Sequence, residues 1–312
     1  MLPCRIRRPI RVACEARVNI HVANFLHGKP VDAGLEMGAY EHLWLQPDAT
    51  VKRIAELFQR QPDALPSDLV GEAEALSAAR EVLAEFEKKG LRDVGVRVHG
   101  AHEYPEPLRD AADPIDVLYY RGAWELAESP KRIAVVGTRA VTPEGINRTK
   151  RLVKLLVENG FTIVSGLAKG VDTVAHRTAI DSGGETIAVI GTPISQVYPR
   201  ENEKLQEEIA RRFLLVSQVP VLRYARQDYR WNRGFFPERN KTMSALTQGT
   251  VIVEAAETSG TLIQAKAALE QGRKLFILDN NFRNPDIRWP ARLESQGAIR
   301  VREFSDLVGA FE

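Results

Sequence analysis

Cysteine is nearly absent: Cys4 and Cys14 are the only two in 312 residues, and they form no CxxC pair. That excludes a disulfide framework and a cysteine zinc site, and it suits a reducing, cytoplasmic setting. An excess of one charge sign is missing too, with Lys+Arg 43 against Asp+Glu 41 and a formal net charge of +2. An anionic partner must then be met by a local patch, since there is no overall basic character. No uncharged apolar run reaches the roughly 18 residues of a membrane-spanning helix. GxGxxG does not follow the first apolar strand-like run and GxxxxGK[ST] occurs nowhere, so the familiar nucleotide fingerprints are lacking. No internal repeat and no low-complexity tract is visible.

What is present reads as a soluble globular chain, 44% hydrophobic and 27% charged, long enough for one large domain or two ordinary ones. Residues 1–20 carry five Arg and one Glu, but Pro3 and Pro9 spoil an amphipathic helix and serine is absent. They read as a flexible basic arm and not as a transit peptide. Residues 21–98 read as a small helical domain, since "LEMGAYEHLWL", "TVKRIAELFQR" and "EAEALSAAREVLAEFEKKG" place apolar residues at spacings of three and four. "YPEPLRDAADPIDVLYYRG" (104–122) is a connection with a brief strand-like end.

Residues 99–312 form the second unit. "RIAVVG", "FTIVSG", "TIAVIG", "TVIVEA" and "KLFILD" are short, continuously apolar strands, with amphipathic helices between them. Continuous hydrophobicity marks strands covered on both faces. The expected fold is α/β, a doubly wound, mostly parallel, Rossmann-like sheet preceded by the helical domain.

Ligands of such sheets bind beyond the carboxyl ends of the strands. There the sequence puts Gly137, Thr138 and Arg139; then Ser165, Gly166, Lys169 and Gly170; then Ser259, Gly260 and Thr261 opening a helix. Small residues at a helix start leave N–H groups open to an anion, and two of the three loops add a cation. One such loop alone is most simply a tight turn, whereas three on one sheet edge indicate an anion site. Asp172 and His176 stand four apart on one helix, near Ser165. "IVSGLA" lacks the G-x-S-x-G elbow of a serine hydrolase, so these residues are expected to brace the loop by hydrogen bonds. No metal site is expected.

From Arg223 to Met243, six Arg/Lys face Asp228 and Glu238, with Tyr224, Tyr229, Trp231, Phe235 and Phe236 interleaved. Cations for a phosphate backbone mixed with rings for bases suit single-stranded nucleic acid. The competing interpretation makes Phe235 and Phe236 core anchors and the arginines a solvated rim. Pro237 biases Phe236 toward extended backbone, which would start the helix at Arg239, Asn240 and Lys241.

These segments, with "VYPRENEKL" and "FFPERNKTMSAL", resemble in order the DNA-processing protein A (DprA/Smf) family over about residues 104–278. The resemblance implies a single-stranded DNA-binding protein with no cofactor and no catalysis. It also implies a cytoplasmic homodimer that loads a RecA-type recombinase in natural transformation. Carried over by motif, the DNA-facing residues are Gly137, Thr138, Arg139, Ser165, Gly166, Lys169, Gly170, Phe236, Arg239, Asn240 and Lys241. The sequence departs from the family pattern at "TPISQ" after "TIAVIG", at "ILDN", and at "RNK" in place of Arg-Asn-Arg. No winged-helix extension follows "LFILD", and roles that need one are not expected. The alternative is a nucleotide-binding or nucleotide-hydrolysing Rossmann sensor, similar to the phosphoribohydrolases. Gln264 stands where those enzymes carry their Glu, and an amide cannot act as a general base.

Overall fold

The computed structural model describes residues 23–26, 29–101, 104–111 and 113–311, so the basic arm at 1–20 lies outside the described residues. Strands β1 (Ala23–Leu26) and β2 (Lys29–Asp32) form a hairpin that leads into α1 (Ala33–Trp44), α2 (Val51–Arg60) and α3 (Glu72–Lys88). Two strands follow, β3 (Val94–Val98) and β4 (Val117–Gly122). The chain then alternates through β5 (Arg132–Val136), α4 (Pro143–Glu158), β6 (Thr162–Ser165), α5 (Val171–Asp181), β7 (Thr186–Ile190), α6 (Glu203–Arg212) and β8 (Leu214–Ser217). Three short helices come next, α7 (Val221–Arg226), α8 (Tyr229–Asn232) and α9 (Phe235–Ala245). The chain ends with β9 (Gly249–Ile252), α10 (Thr261–Glu270), β10 (Lys274–Leu278), α11 (Trp289–Glu294), β11 (Ile299–Val301) and α12 (Phe304–Val308).

Nine strands make one sheet in the order β11-β10-β9-β5-β6-β7-β8-β4-β3. From β11 to β8 every pairing is parallel; β4 and β3 add an antiparallel margin. All residues of β5, β6, β7, β8 and β9 are buried, as the continuous apolar runs require when helices cover both faces. One face packs on α4, α5 and α12 through Leu156, Ala175 and Leu307; the other packs on α10 and α11 through Ala265 and Trp289. The chain winds outward from β5 through β8, then returns to place β9 on the other side of β5. The sheet reverses direction between β5 and β9, and a doubly wound sheet opens its binding crevice at that point.

The helices at the N-terminal side share a core with the sheet. Met37, Tyr40, Val82 and Phe86 pack with Val96, Tyr119 and Leu215 in one cluster. Strand β3, which falls on the helical side of the boundary drawn from sequence, pairs with β4 from Val94↔Arg121 to Val98↔Val117. Its signal was weak because "VGVRV" is short and carries a charge. Arg97 is accommodated by stacking over Tyr120 and Trp124, 4.7 and 4.8 Å from their ring centroids. Strands β8 and β11 also carried no sequence signal long enough to separate them from their neighbours.

One local expectation is corrected. Phe236 is not extended, and α9 does not start at Arg239; it starts at Phe235 and includes both Phe236 and Pro237. Proline is tolerated in a first helical turn, where its missing N–H removes no intrahelical bond. Arg239, Asn240 and Lys241 consequently lie beyond the open N–H groups of the first turn.

Candidate nucleic-acid interface

The loop after β5 is held at the reversal point by main-chain bonds. Thr138 N donates to the oxygen of Glu254 at 2.7 Å, which joins the ends of β5 and β9, and Thr138 O accepts from Val171 N at 3.2 Å. Gly170 has φ +78°, and a Cβ there would lie 2.3 Å from Thr138 O and 2.7 Å from Arg139 O. Only glycine meets both the left-handed backbone and that contact. The loop after β6 therefore seats directly under the loop after β5.

That second loop is strained and braced. Leu167, fully buried, has φ 59°, a left-handed conformation unusual for a branched residue. Asp172 Oδ2 accepts from Gly166 N (3.2 Å) and Ala168 N (3.3 Å), and Asn202 Nδ2 donates to Leu167 O at 2.9 Å. Arg239, 5% exposed, donates through Nη1 to the carbonyls of Gly166 and Val189, the latter at 2.7 Å. It thus ties the ends of β6 and β7 together from below. Burial lowers the Arg239 pKa, the Asp172 carboxylate opposes that, and Arg139 adds to the lowering. Burial likewise raises the Asp172 pKa, against the pull of Arg239.

The bracing role expected of Asp172 is seen; that of His176 takes another form. His176 Nδ1 pairs with Thr186 Oγ1 at 2.7 Å, and burial drives its pKa down to about 3, so it is neutral. Ser165 Oγ donates to Val135 O at 2.7 Å. Ser165 also reaches the Asp172 carboxylate, but His176 is turned to Thr186, so the three do not make a serine–histidine–aspartate relay. Among the described residues no group of three or more His, Cys, Asp or Glu is arranged to hold a metal ion.

A cavity of about 330 Å³ lies above these loops, between the ends of β5 and β9 and the side of α9. Of the residues expected from sequence, Gly137, Thr138, Arg139, Phe236, Arg239, Asn240, Ser259, Gly260 and Thr261 line it. Asn240 Nδ2 donates to Gly260 O at 3.2 Å, which ties α9 to the start of α10. The N–H of Thr261 donates to Ser259 Oγ at 3.2 Å, and those of Leu262 and Ile263 donate to the main-chain oxygens of Ser259 and Gly260, so the positive end of α10 faces the cavity with these three donors engaged. Arg139 is exposed, and no ion-pair partner for it occurs among the described residues. Phe236 lies flush on Gly191, whose Cβ would come within 2.7 Å of the ring, and its edge meets Tyr198 at 5.3 Å between centroids.

The remaining expected residues lie elsewhere. Ser165 and Gly166 are buried beneath the cavity, and Gly170 supports the first loop. Lys169, half exposed, reaches outward to Glu201 at 2.5 Å. Lys241 pairs with Glu238 at 3.0 Å and Asp113 at 3.5 Å. Sequence reasoning did not find Glu254, Asn202 or Gly191, because each acts through a partner distant in the chain. Gln264 lines the cavity, buried, with its amide 3.3 Å from Thr250 Oγ1. Among the described residues no helix is long and apolar enough to cross a membrane.

Residues 95–312 match the family described as DNA recombination-mediator protein A. The DNA processing protein DprA of Bacillus subtilis is 34% identical over 226 residues, covering 72% of this chain and 73% of that protein. The X-ray structure of DNA processing protein A from Streptococcus pneumoniae superposes with a TM-score of 0.70 at 28% identity, over 90% of this chain and 99% of that one. The structure concerned with the single-stranded DNA binding mode of DNA processing protein A from Helicobacter pylori gives 0.57 at 28% identity, over 67% and 92%.

Proposed function

This chain belongs to the DNA recombination-mediator protein A family, and we propose that it binds single-stranded DNA in the cavity where the sheet reverses. In this reading it acts without bond-breaking chemistry and, as a homodimer, delivers the strand to a RecA-type recombinase in natural transformation. The observation that carries the reading is Arg139. It is an exposed cation with no ion-pair partner among the described residues, over a buried one, Arg239, which Asp172 offsets, near the positive end of α10. That arrangement calls for an anion with negative charge spread along it, which a phosphodiester backbone supplies.

The roles divide by position. Gly137, Thr138, Arg139, Asn240, Ser259, Gly260 and Thr261 contact the backbone, and Phe236 meets a base. Ser165, Gly166, Gly170 and Arg239 shape the site from beneath. Lys169 and Lys241 exchange their carboxylate partners for phosphates farther along the strand. The Bacillus and Helicobacter relatives support this reading, since the latter's structure concerns single-stranded DNA binding. A nucleotide hydrolase is disfavoured by Gln264, an amide that cannot take a proton from water.

The test is a salt series of binding to single-stranded and duplex oligonucleotides, with nucleoside monophosphates as competitors. Single strands should bind more tightly, with log K falling by roughly 0.7 per decade of salt for each phosphate contacted. Equal affinity for duplex, or full displacement by a monophosphate at low concentration, would overturn the reading. Sedimentation of the free protein, and recombinase filament formation on protein-coated strands, test the dimer and the partner.

A further inference from the structure

The same sheet edge carries a second, larger opening. A groove of about 960 Å³ lies over the carboxyl ends of β10 and β11, walled by α4 and the start of α12. Leu152, Leu155 and Val301 form an apolar floor, and Arg148, Arg151, Arg283 and Arg302 stand on its walls. One of its two acids is engaged already: Asp279 accepts from Arg300 Nε at 2.7 Å and pairs with Arg283 at 2.5 Å. The other, Glu303, is exposed, and the Asp306 N–H at the start of α12 goes to its main-chain oxygen at 3.1 Å. The nearby Asp306 is itself occupied by the N–H groups of Arg302 and Glu303, at 2.7 and 2.9 Å. Arg151 and Arg302 are exposed, and neither has an ion-pair partner among the described residues.

The groove is connected to the first cavity through one residue. Glu254 accepts from Thr142 Oγ1 at 2.8 Å, pairs with Arg148 at 3.7 Å, and takes the Thr138 N–H on its main-chain oxygen at 2.7 Å. Thr138 lines the first cavity and Arg148 the second. The two cationic openings thus lie on one sheet edge, lined by different residues and linked through Glu254, which lines neither. The groove is open along its length, and small ligands are bound in sites that enclose most of their surface. An extended polymer fits it better than a free nucleotide.

We propose that this groove carries the continuation of the single strand that leaves the first cavity, with phosphates at Arg151 and Arg302 and bases against the Leu152–Leu155 floor. This rests on the reading of the first cavity, and the experiment separates the two. Binding is measured for the full chain and its Arg151→Ala/Arg302→Ala variant, with oligonucleotides from about 4 to about 16 nucleotides, the span of single-strand site sizes. The shortest strand, which fills only the first cavity, should bind both proteins alike. Longer strands should gain affinity on the wild type alone, and the variant's salt slope should be smaller by about 1.4, at roughly 0.7 per phosphate. The Arg151→Lys/Arg302→Lys variant keeps the charges and should keep the slope.

Identical length dependence in wild type and alanine variant overturns the second track and leaves the first cavity standing. A nucleoside monophosphate that binds the wild type but not the alanine variant, while long strands bind both equally, makes the groove a nucleotide site instead. If the wild type binds no single strand of any length, the first reading falls and this one with it.

Discussion

The main-chain oxygen of Gly166 accepts a hydrogen bond from the buried guanidinium of Arg239, and a methyl group on that glycine would lie 2.3 Å from Nη1. The most conspicuous cation of the "FPERNK" segment is thus a strut under the loop after β6. Arg239→Ala should lower stability on the order of 3 kcal/mol, because it strips two carbonyls of their donor and leaves Asp172 buried without its cation. Binding of single-stranded DNA should fall along with the urea midpoint. A variant with normal stability and weakened binding would show instead that Arg239 meets the strand directly.

Arg139 is the contrasting case, exposed at the end of β5 over the same cavity. Arg139→Ala should leave the melting temperature unchanged and reduce the salt slope of binding by roughly 0.7. Lys169→Ala should give a smaller loss, since Lys169 must first leave Glu201. An Arg139 variant with wild-type affinity and slope would remove the cavity from the DNA path.

Much of this was legible from residue patterns, for reasons the structure makes plain. Five buried parallel strands announce themselves because both faces must be apolar, and the loops after β5, β6 and β9 announce themselves by small residues where chains approach closely. Patterns could not show which of the loop cations would be exposed. Arg139 and Arg239 look equivalent in sequence, yet one is free and the other is spent on the carbonyls of Gly166 and Val189. Phe236 misled because the bias imposed by a following proline is weak in a first helical turn. The ring is nevertheless held, by Gly191 and Tyr198. Phe236→Ala should cost binding about 1–3 kcal/mol if a base stacks there, with no change in salt slope.

Trp231 offers an optical test of the same surface. It is 75% exposed, whereas Trp44, Trp124 and Trp289 are each 6% exposed or less. Its neighbour Tyr229, 62% exposed, has the guanidinium groups of Arg233 and Arg230 at 5.7 and 5.9 Å from its ring centroid. Exposed rings among cations, on the short helix α8 that precedes α9, are the kind of surface on which bases stack. Single-stranded DNA should quench the solvent-exposed part of the tryptophan emission, and Trp231→Phe should abolish the quench. Full quenching in that variant would place the strand away from α8.

The last prediction concerns Glu41, which pins α1 to the segment leading into α9. Its carboxylate is fully buried and accepts from Val221 N (2.7 Å), Leu222 N (2.9 Å) and the Tyr119 hydroxyl. Burial outweighs those bonds and raises its pKa from 4.5 to about 7. Between those two values the folded chain holds a proton that the unfolded chain has released. Unfolding therefore becomes easier as pH rises through that window, which is the reverse of the usual carboxylate. At 1.36 kcal/mol per unit, the stability lost between pH 4.5 and 7 is on the order of 3 kcal/mol. Glu41→Gln keeps an acceptor for the α7 N–H groups and cannot ionise, so its stability should be flatter over the same range. Denaturant midpoints measured from pH 5 to 8 decide this. A wild type whose stability does not fall across the window, or a Gln variant that follows it in parallel, would assign the burial of Glu41 no role in the pH response. Because Trp44 on α1 packs against Phe235 at 5.8 Å between centroids, loosening of this pin should also reach α9. Wild-type DNA affinity should then decline from pH 6 to 8 more steeply than that of Glu41→Gln.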